Sequence, residues 1–173
     1  MDQSTYRQQQ LKKLGELIKD IRIAMLTTID EDGSLRSRPM AVPQVEFDGH
    51  LWFFTGAEAP KVEEAQHHGQ VNVSFADPER QHFVSFSGTA TVVHDRQKMA
   101  ELWSAWLRTW FPHGLDDPHL ALLQVHVEKA EYWDAPSSTM VQLFGVMKAT
   151  ITGQPPGSGE TAKLIVDERR AGA

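Results

Sequence analysis

Short apolar runs, each closed by a turn containing Gly, Asp or Pro, recur along this 173-residue chain. Runs of four to eight residues that alternate apolar with polar positions are typical of β-strands. The pattern predicts strands at Ile23–Ile29, Leu35–Val42, Leu51–Thr55, Val71–Phe75, Phe83–His94 and Leu120–Trp133. The turns Asp30–Gly33 and Asp48–Gly49 predict two hairpins, the second pairing Val45–Phe47 with Leu51–Thr55.

The segments between these runs carry apolar residues at helical spacing. They predict helices over Tyr6–Ile21, Ala59–His68 and Arg96–Trp110, the last with its tryptophans on one face. Pro39 predicts an edge strand and Gly88 a bend or bulge. Because strands dominate and no G-x-G-x-x-G motif is present, we expect a mainly β protein, an antiparallel Greek-key barrel with helical insertions.

The length predicts one domain over residues 1–152, with a flexible C-terminal tail over residues 153–173 that begins with G-Q-P-P-G-S-G. The apolar stretch Met140–Ile151 remains ambiguous between helix and strand. A net charge of -6 argues against general nucleic acid binding. Neither a signal peptide nor a membrane span is recognisable, so we expect a cytoplasmic protein without nucleic acid or membrane partners.

Cysteine is absent, which excludes disulfides, thiolate metal sites and cysteine nucleophiles. The eight histidines show no recognised ligand spacing, so no metal site is predicted. No serine lies in a G-x-S-x-G motif. The adjacent acids Asp116 and Asp117 precede a proline, which is typical of a solvated turn rather than of a catalytic pair.

The most informative segment is Arg36-Ser37-Arg38-Pro39-Met40. In a strand, Arg36, Arg38 and Met40 share one face, and Ser37 and Pro39 share the other. Two arginines on one face favour a clamp for a phosphate or a carboxylate, because each guanidinium offers several fixed donors. The alternative is a solvated strand edge, and the segment alone does not decide between the two.

A second cation, Lys61, falls in the first turn of the helix that follows Trp52–Thr55. Free backbone amides at a helix start attract anions, so Lys61 and the Thr55 hydroxyl could complete a phosphate site. The alternative is an ordinary exposed lysine. The aromatic residues near Phe54, together with Trp133, are candidates either to cover a planar ring or to fill the core.

The order of these motifs resembles the FMN-binding split barrels, and most closely the general stress protein branch of the pyridoxamine 5'-phosphate oxidase-like proteins. The matching phrases are G-x-L-R-S-R-P-M, L-W-F-F-T with lysine six residues later, V-S-F-S-G, E-Y-W-D and E-L-W…W-F-P-x-G-x-D-D-P. The resemblance spans roughly Leu11 to Ala149. It implies a homodimer with FMN at the subunit interface, and FAD is the alternative cofactor.

The resemblance also implies roles for particular residues. The backbone of Arg38, Pro39 and Met40 would line the flavin ring, since flavin chemistry depends on hydrogen bonds to the ring nitrogens. Lys61 would bind the phosphate. The remaining residues implied by the resemblance are Phe54 and Thr55 beside the ring or ribityl chain, Trp133 from the other subunit, and the neighbours Arg36 and Ser37.

This chain departs from the oxidases at several positions. Ala59 and Pro60 replace a serine and an arginine before the phosphate lysine, Pro43 replaces another lysine, and no R-x-H-D-R motif follows Asp134. Pyridoxamine phosphate is therefore not expected as substrate. Two phosphate donors are missing, so the alternatives are weaker phosphate binding or the use of Arg36 instead. The resemblance implies a flavin-dependent oxidoreductase with a small-molecule or nicotinamide partner. The alternative is a non-enzymatic stress protein that binds or senses FMN.

Overall fold

The computed structural model describes residues 3–134 and 160–166. Within them the chain forms three α-helices, seven strands and two short 3₁₀ helices. Their bounds, in chain order, are α1 Gln3–Ile18, β1 Ile23–Ile29, β2 Leu35–Ala41, β3 His50–Gly56, α2 Pro60–His68, β4 Gln70–Asp77, β5 His82–Val93, α3 Arg96–Leu102, the 3₁₀ helices Ala105–Thr109 and Gly114–Asp116, β6 Leu120–Asp134 and β7 Glu160–Ile165.

All the strand pairs are antiparallel, in the order β2-β1-β4-β5-β6-β3, with β7 also paired to β6. The two end strands, β2 and β3, lie in contact, which bends the sheet into a barrel. The mainly β, antiparallel split-barrel fold predicted from the sequence is thereby confirmed. Pro39 lies in β2, which is an edge strand of the sheet, the place where proline is tolerated in β-structure.

The barrel interior is the main hydrophobic core, closed at one side by α1. Gly88 marks the predicted bulge, because the register of β5 against β6 shifts between Ser87 and Gly88. A Cβ at Gly88 would lie 2.0 Å from the carbonyl oxygen of His126, so only glycine allows the two backbones to approach this closely.

The hairpin predicted around Asp48–Gly49 is wrong. β3 pairs with β6 and not with Val45–Phe47, which forms no strand. Phe47 is buried against Phe86, with ring centroids 5.1 Å apart, so this segment contributes a side chain to the main core. Local turn chemistry indicated a reversal but carried no information about β6, more than sixty residues away.

The helix predicted over Arg96–Trp110 is only half right. α3 ends at Leu102, because Trp103 and Ser104 adopt extended backbone angles before the 3₁₀ helix begins. Side chains of this insertion pack over the outer face of β3 as a second core, in which Trp103 lies edge-on to Phe54 at 5.3 Å. The tryptophan face was therefore correctly predicted as apolar, but its backbone was not.

Within the predicted tail over residues 153–173, the described residues 160–166 include a strand, β7. β7 pairs with Lys129–Asp134 of β6. β3 pairs with only the first half of β6, so the backbone groups on this edge of the second half would lack partners, and β7 supplies the hydrogen bonds there. The domain boundary at residue 152 stays a prediction, and the ambiguous stretch Met140–Ile151 lies outside the described residues.

Candidate functional site

The β1–β2 hairpin places both arginines on one face of the barrel wall. In the antiparallel register Arg36 lies opposite Thr28, and Arg38 lies opposite Leu26. Met40, two residues further along, is buried in the main core, which confirms the predicted alternation. Arg38 is therefore the member of the pair that lies nearer the interior, and its side chain is 16% exposed against 55% for Arg36.

Both arginines contact one buried carboxylate, Glu64 of α2. The Arg38 Nη2 donates to Glu64 Oε2 at 2.6 Å, and the Arg36 Nη1 lies 3.4 Å from Glu64 Oε1. The Thr28 hydroxyl donates to the same carboxylate and accepts from Arg38 at 2.9 Å. The two arginines thus converge on a carboxylate of the chain itself, which occupies one side of the pair, and the predicted clamp for a phosphate stays a prediction.

The charge of Glu64 is stabilised by these donors. Burial by itself raises the pKa of Glu64, but the hydrogen bonds from Thr28 and Arg38 and the charges of both arginines outweigh it. The net effect is a pKa below the ordinary value, so Glu64 carries a full negative charge at neutral pH.

Lys61 lies close to Arg38. It occupies the first turn of α2 and is half-buried, one helical turn before Glu64 on the same side of the helix. Burial lowers the pKa of Lys61, and the positive charge of Arg38 lowers it further. Among the described residues Lys61 has no hydrogen bond or ion pair, so two neighbouring cations share a partly desolvated place.

The Arg38 guanidinium retains unused donors. Its Nε and Nη1 are buried without a hydrogen-bond partner. Leaving a buried donor unpaired costs about 1–3 kcal/mol, and more for a charged group. An anion between Arg38 and Lys61 would offset both this cost and the repulsion between the cations, so the residues present fit a phosphate group.

A cleft of about 430 Å³ borders this site, and Arg36 and Glu64 line both. Its lining includes four carboxylates, Asp30, Glu31, Glu63 and Glu64, together with Arg36, His67 and His68, and we call it the acidic cleft. A larger open cleft of about 1050 Å³ lies between α1 and residues 42–52, but none of the predicted site residues lines it.

The other predicted residues surround the cation pair less directly. Ser37 and Pro39 are exposed on the opposite face of β2, and the Ser37 hydroxyl lies 2.7 Å from that of Thr27. Thr55 is fully buried, and its Oγ1 donates to the carbonyl of Gly56 at 3.2 Å. Phe54 is buried in the second core, so its ring packs inside this chain.

Trp133 does not join the cluster within one chain. It lies near the end of β6, eleven residues from Leu122, the partner of Phe54. Eleven strand residues correspond to roughly 36 Å along a straight strand. Trp133 is 41% exposed and lies beside Phe83 on the outer face of the sheet, so any contact with a flavin would come from another subunit.

Two residues of the site, Glu64 and Thr28, were missed by the sequence reasoning. A signal existed for each: Glu64 follows Lys61 at helical spacing, and the short β1–β2 turn places Thr28 opposite Arg36. What the sequence did not contain was the packing of α2 against β1, which brings the two together.

Comparison with known proteins gives the family. The sequence profile described as "Pyridoxamine 5'-phosphate oxidase like" matches residues 9–157, so the chain belongs to this family. The chain is 28% identical over 157 residues to protein bli-3 of Neurospora crassa, covering 85% of this chain and 75% of that protein. It is 27% identical over 146 residues to general stress protein 26 of Bacillus subtilis, covering 79% of this chain and 97% of the relative.

Solved structures agree with this assignment. A general stress protein 26 from Jannaschia sp. CCS1 has the same fold, with a TM-score of 0.74 at 24% identity over 95% of this chain and 99% of that one. The general stress FMN/FAD binding protein of Xanthomonas citri aligns with a TM-score of 0.64 at 28% identity, covering 76% and 92% of the two chains.

The described residues contain neither a cluster of metal-ligating side chains nor a helix able to span a membrane. In residues 3–134 and 160–166 no three histidine, aspartate or glutamate side chains are grouped so that they could hold a metal ion. No helix in the same part of the chain has the length and apolar character needed to cross a bilayer.

Proposed function

We propose that this protein binds FMN and uses it as a flavin-dependent oxidoreductase. The observation that carries the proposal is the Arg38–Lys61 pair, two partly desolvated cations from different elements with unpaired guanidinium donors. A relative of the same fold is described as an FMN/FAD binding protein, which supports a flavin as the ligand that supplies the anion.

Different residues of the site bind different parts of the flavin in this proposal. Arg38 and Lys61 bind the phosphate, and Arg36 adds a second guanidinium at the exposed side. β2 pairs only with β1 among the described strands, so backbone groups on its free edge are available to the flavin ring. When bound, the flavin accepts or donates a hydride or electrons at its ring, so the chain need not supply an acid or a base.

The proposal includes a homodimer. The outer face of the sheet exposes four large apolar side chains, Ile23 and Met25 of β1, Phe83 of β5 and Trp133 of β6, with β4 lying between β1 and β5. Exposed apolar surface is a feature of interaction sites. Burial of this face in a dimer would bring Trp133 of the partner subunit towards the flavin, as the family resemblance implies.

Titration with FMN, riboflavin and two variants tests the binding site. Arg38→Ala and Lys61→Ala should each weaken FMN binding about tenfold or more, since a charge-assisted hydrogen bond contributes about 1.5–3 kcal/mol. Riboflavin lacks the phosphate, so it should bind more weakly than FMN, and its affinity should be the same in both variants as in the unchanged protein. Arg80→Ala, which removes an exposed arginine of a surface ion pair, is the matched control. Unchanged FMN affinity in both site variants would refute the assignment.

Turnover decides between the two functions. A flavin-loaded protein that oxidises a nicotinamide cofactor in steady state with an added acceptor supports the oxidoreductase. Tight FMN binding without steady-state oxidation of a nicotinamide cofactor by any added acceptor favours the binding or sensing role instead. Size-exclusion chromatography with light scattering tests the dimer, which the double variant Phe83→Ser/Trp133→Ser should weaken because both side chains lie exposed on the outer face.

A further inference from the structure

We propose that Glu64 and the acidic cleft make the Arg38–Lys61 site selective for a single terminal phosphate, and thus for FMN over FAD. The inference rests on the proposed flavin function and adds the residues that decide between the two flavins. It follows from three features of the described residues: the contacts of Glu64, the charge of the cleft and the place where the two meet.

Glu64 first fixes the orientation of Arg38. Its side chain is 6% exposed and accepts hydrogen bonds from Arg38 and Thr28, while the Thr28 hydroxyl also accepts from Arg38. These three side chains come from β1, β2 and α2 and form a closed set of hydrogen bonds. The guanidinium is therefore held by Nη2, and its Nε and Nη1 remain for a ligand. A group held in this way loses little conformational entropy when an anion binds.

Glu64 also sets the charge of the site. Arg36, Arg38 and Lys61 carry three positive charges, and the ionised Glu64 reduces the formal charge to about +2. A phosphate monoester carries about −1.5 to −2 at neutral pH, so one terminal phosphate neutralises the site. In FAD the corresponding phosphate is a diester with only about one negative charge, so it compensates the site less fully, and the second negative charge of FAD lies beyond the two cations.

The acidic cleft determines what happens beyond the first phosphate. Arg36 and Glu64 line both the phosphate site and the cleft, so the cleft opens beside the phosphate site. In this proposal a ligand that extends beyond its first phosphate enters the cleft, which is lined by Asp30, Glu31, Glu63 and Glu64 together with His67 and His68. FMN ends at its phosphate, whereas FAD continues through a second, negatively charged phosphate. The carboxylates of the cleft repel this second negative charge, and specific sites commonly use repulsion of this kind to exclude a competing ligand.

The test is the ratio of the FAD and FMN dissociation constants, measured by calorimetry in low salt. In the unchanged protein FAD should bind about tenfold more weakly than FMN. Glu64→Gln keeps the size and one hydrogen-bond acceptor but removes the charge, and it should lower the ratio about fivefold. The double variant Glu31→Gln/Glu63→Gln changes only exposed residues of the cleft and should lower it about threefold.

Glu79→Gln is the control, because it removes the same charge from an exposed turn that does not line the cleft. The ratio of the FAD and FMN dissociation constants in Glu79→Gln should match that of the unchanged protein. Added salt should reduce the effect of the double variant, since screening weakens exposed charges first. A purely structural role of Glu64 would weaken both flavins equally and leave the ratio and its salt dependence unchanged.

The outcomes separate the two proposals. FMN binding that depends on Arg38, with a ratio unchanged in both acidic variants, overturns the role of Glu64 and the cleft but leaves the flavin site intact. If neither flavin binds, the proposed function fails. Inorganic phosphate and pyrophosphate, measured by their effect on thermal unfolding, then test the same selectivity without a flavin. Equal stabilisation by the two anions in all variants would overturn it.

Discussion

The Arg38–Glu64 pair is expected to show a large coupling energy in a double-mutant cycle. Its nitrogen–oxygen distance is 2.6 Å, and the two side chains are 16% and 6% exposed. Arg80 and Asp20 form a pair of nearly the same length, 2.7 Å, but with both side chains more than half exposed. The two pairs therefore differ mainly in burial, which makes the second a matched control for the first.

The magnitude follows from this burial. Two unit charges about 4 Å apart attract by about 4 kcal/mol at an effective dielectric constant of about 20. Removing one partner of a buried pair costs about 3–5 kcal/mol, because the other charge is left unpaired. Glu64 keeps Thr28 and Arg36 when Arg38 is lost, which places the expected coupling energy at about 2–3 kcal/mol. For the exposed Arg80–Asp20 pair, about 0–1 kcal/mol is expected.

Urea unfolding at pH 7 of the alanine single and double variants measures both cycles. Each single substitution at Arg38 or Glu64 should lower the free energy of unfolding by about 3 kcal/mol, or the melting temperature by about 6–12 °C. The double variant should cost much less than the two single variants together. Coupling at Arg38–Glu64 no larger than that at Arg80–Asp20 would refute the conclusion that Glu64 holds the guanidinium in place.

Two further predictions concern acid stability and the bulge of β5. The folded-state pKa of Glu64 lies below its ordinary value of 4.5, so the stability that ionised Glu64 contributes is present above pH 4.5 and is lost as pH falls through the lowered pKa. Acid unfolding followed by circular dichroism should therefore show a shallower loss of stability with falling pH in Glu64→Gln. Equal slopes in the two proteins would contradict this prediction. Gly88→Ala should lower the free energy of unfolding, measured in urea, by about 3 kcal/mol or more, because the new Cβ would overlap the His126 carbonyl. Gly56→Ala is the control: a Cβ there has no neighbour within 4 Å, so the free energy of unfolding should hardly change. Similar stability of the two alanine variants would show that the backbones can separate at the bulge.

Local sequence patterns predicted the parts of the fold that depend on neighbouring residues. The bounds of β1, the helix predicted over Ala59–His68 and the bulge at Gly88 all follow from side-chain periodicity or from the backbone preferences of glycine. The alternation in β2 likewise placed Arg36 and Arg38 on one face. These features are fixed within a few residues, where steric and hydrogen-bonding preferences act directly.

The features that local patterns did not predict fall where distant segments decide the outcome. β3 carries a strand pattern, but its partner β6 is chosen by closure of the barrel, which no local motif encodes. β7 forms because β6 extends beyond β3 and leaves an edge to be paired. The Trp103 region is extended because its rings pack over Phe54, and this tertiary contact outweighs the helical spacing of the tryptophans.

The sequence by itself determined the ingredients of the site: two arginines on one strand face, and a lysine at a helix start with a glutamate one turn later. Only the tertiary structure decided how they combine. Packing of α2 against β1 places Glu64 beneath both arginines and brings Lys61 close to Arg38. The physical reason is that the hydrophobic contacts that orient the helix act between segments far apart in sequence, and the charges then adopt the arrangement that this packing allows.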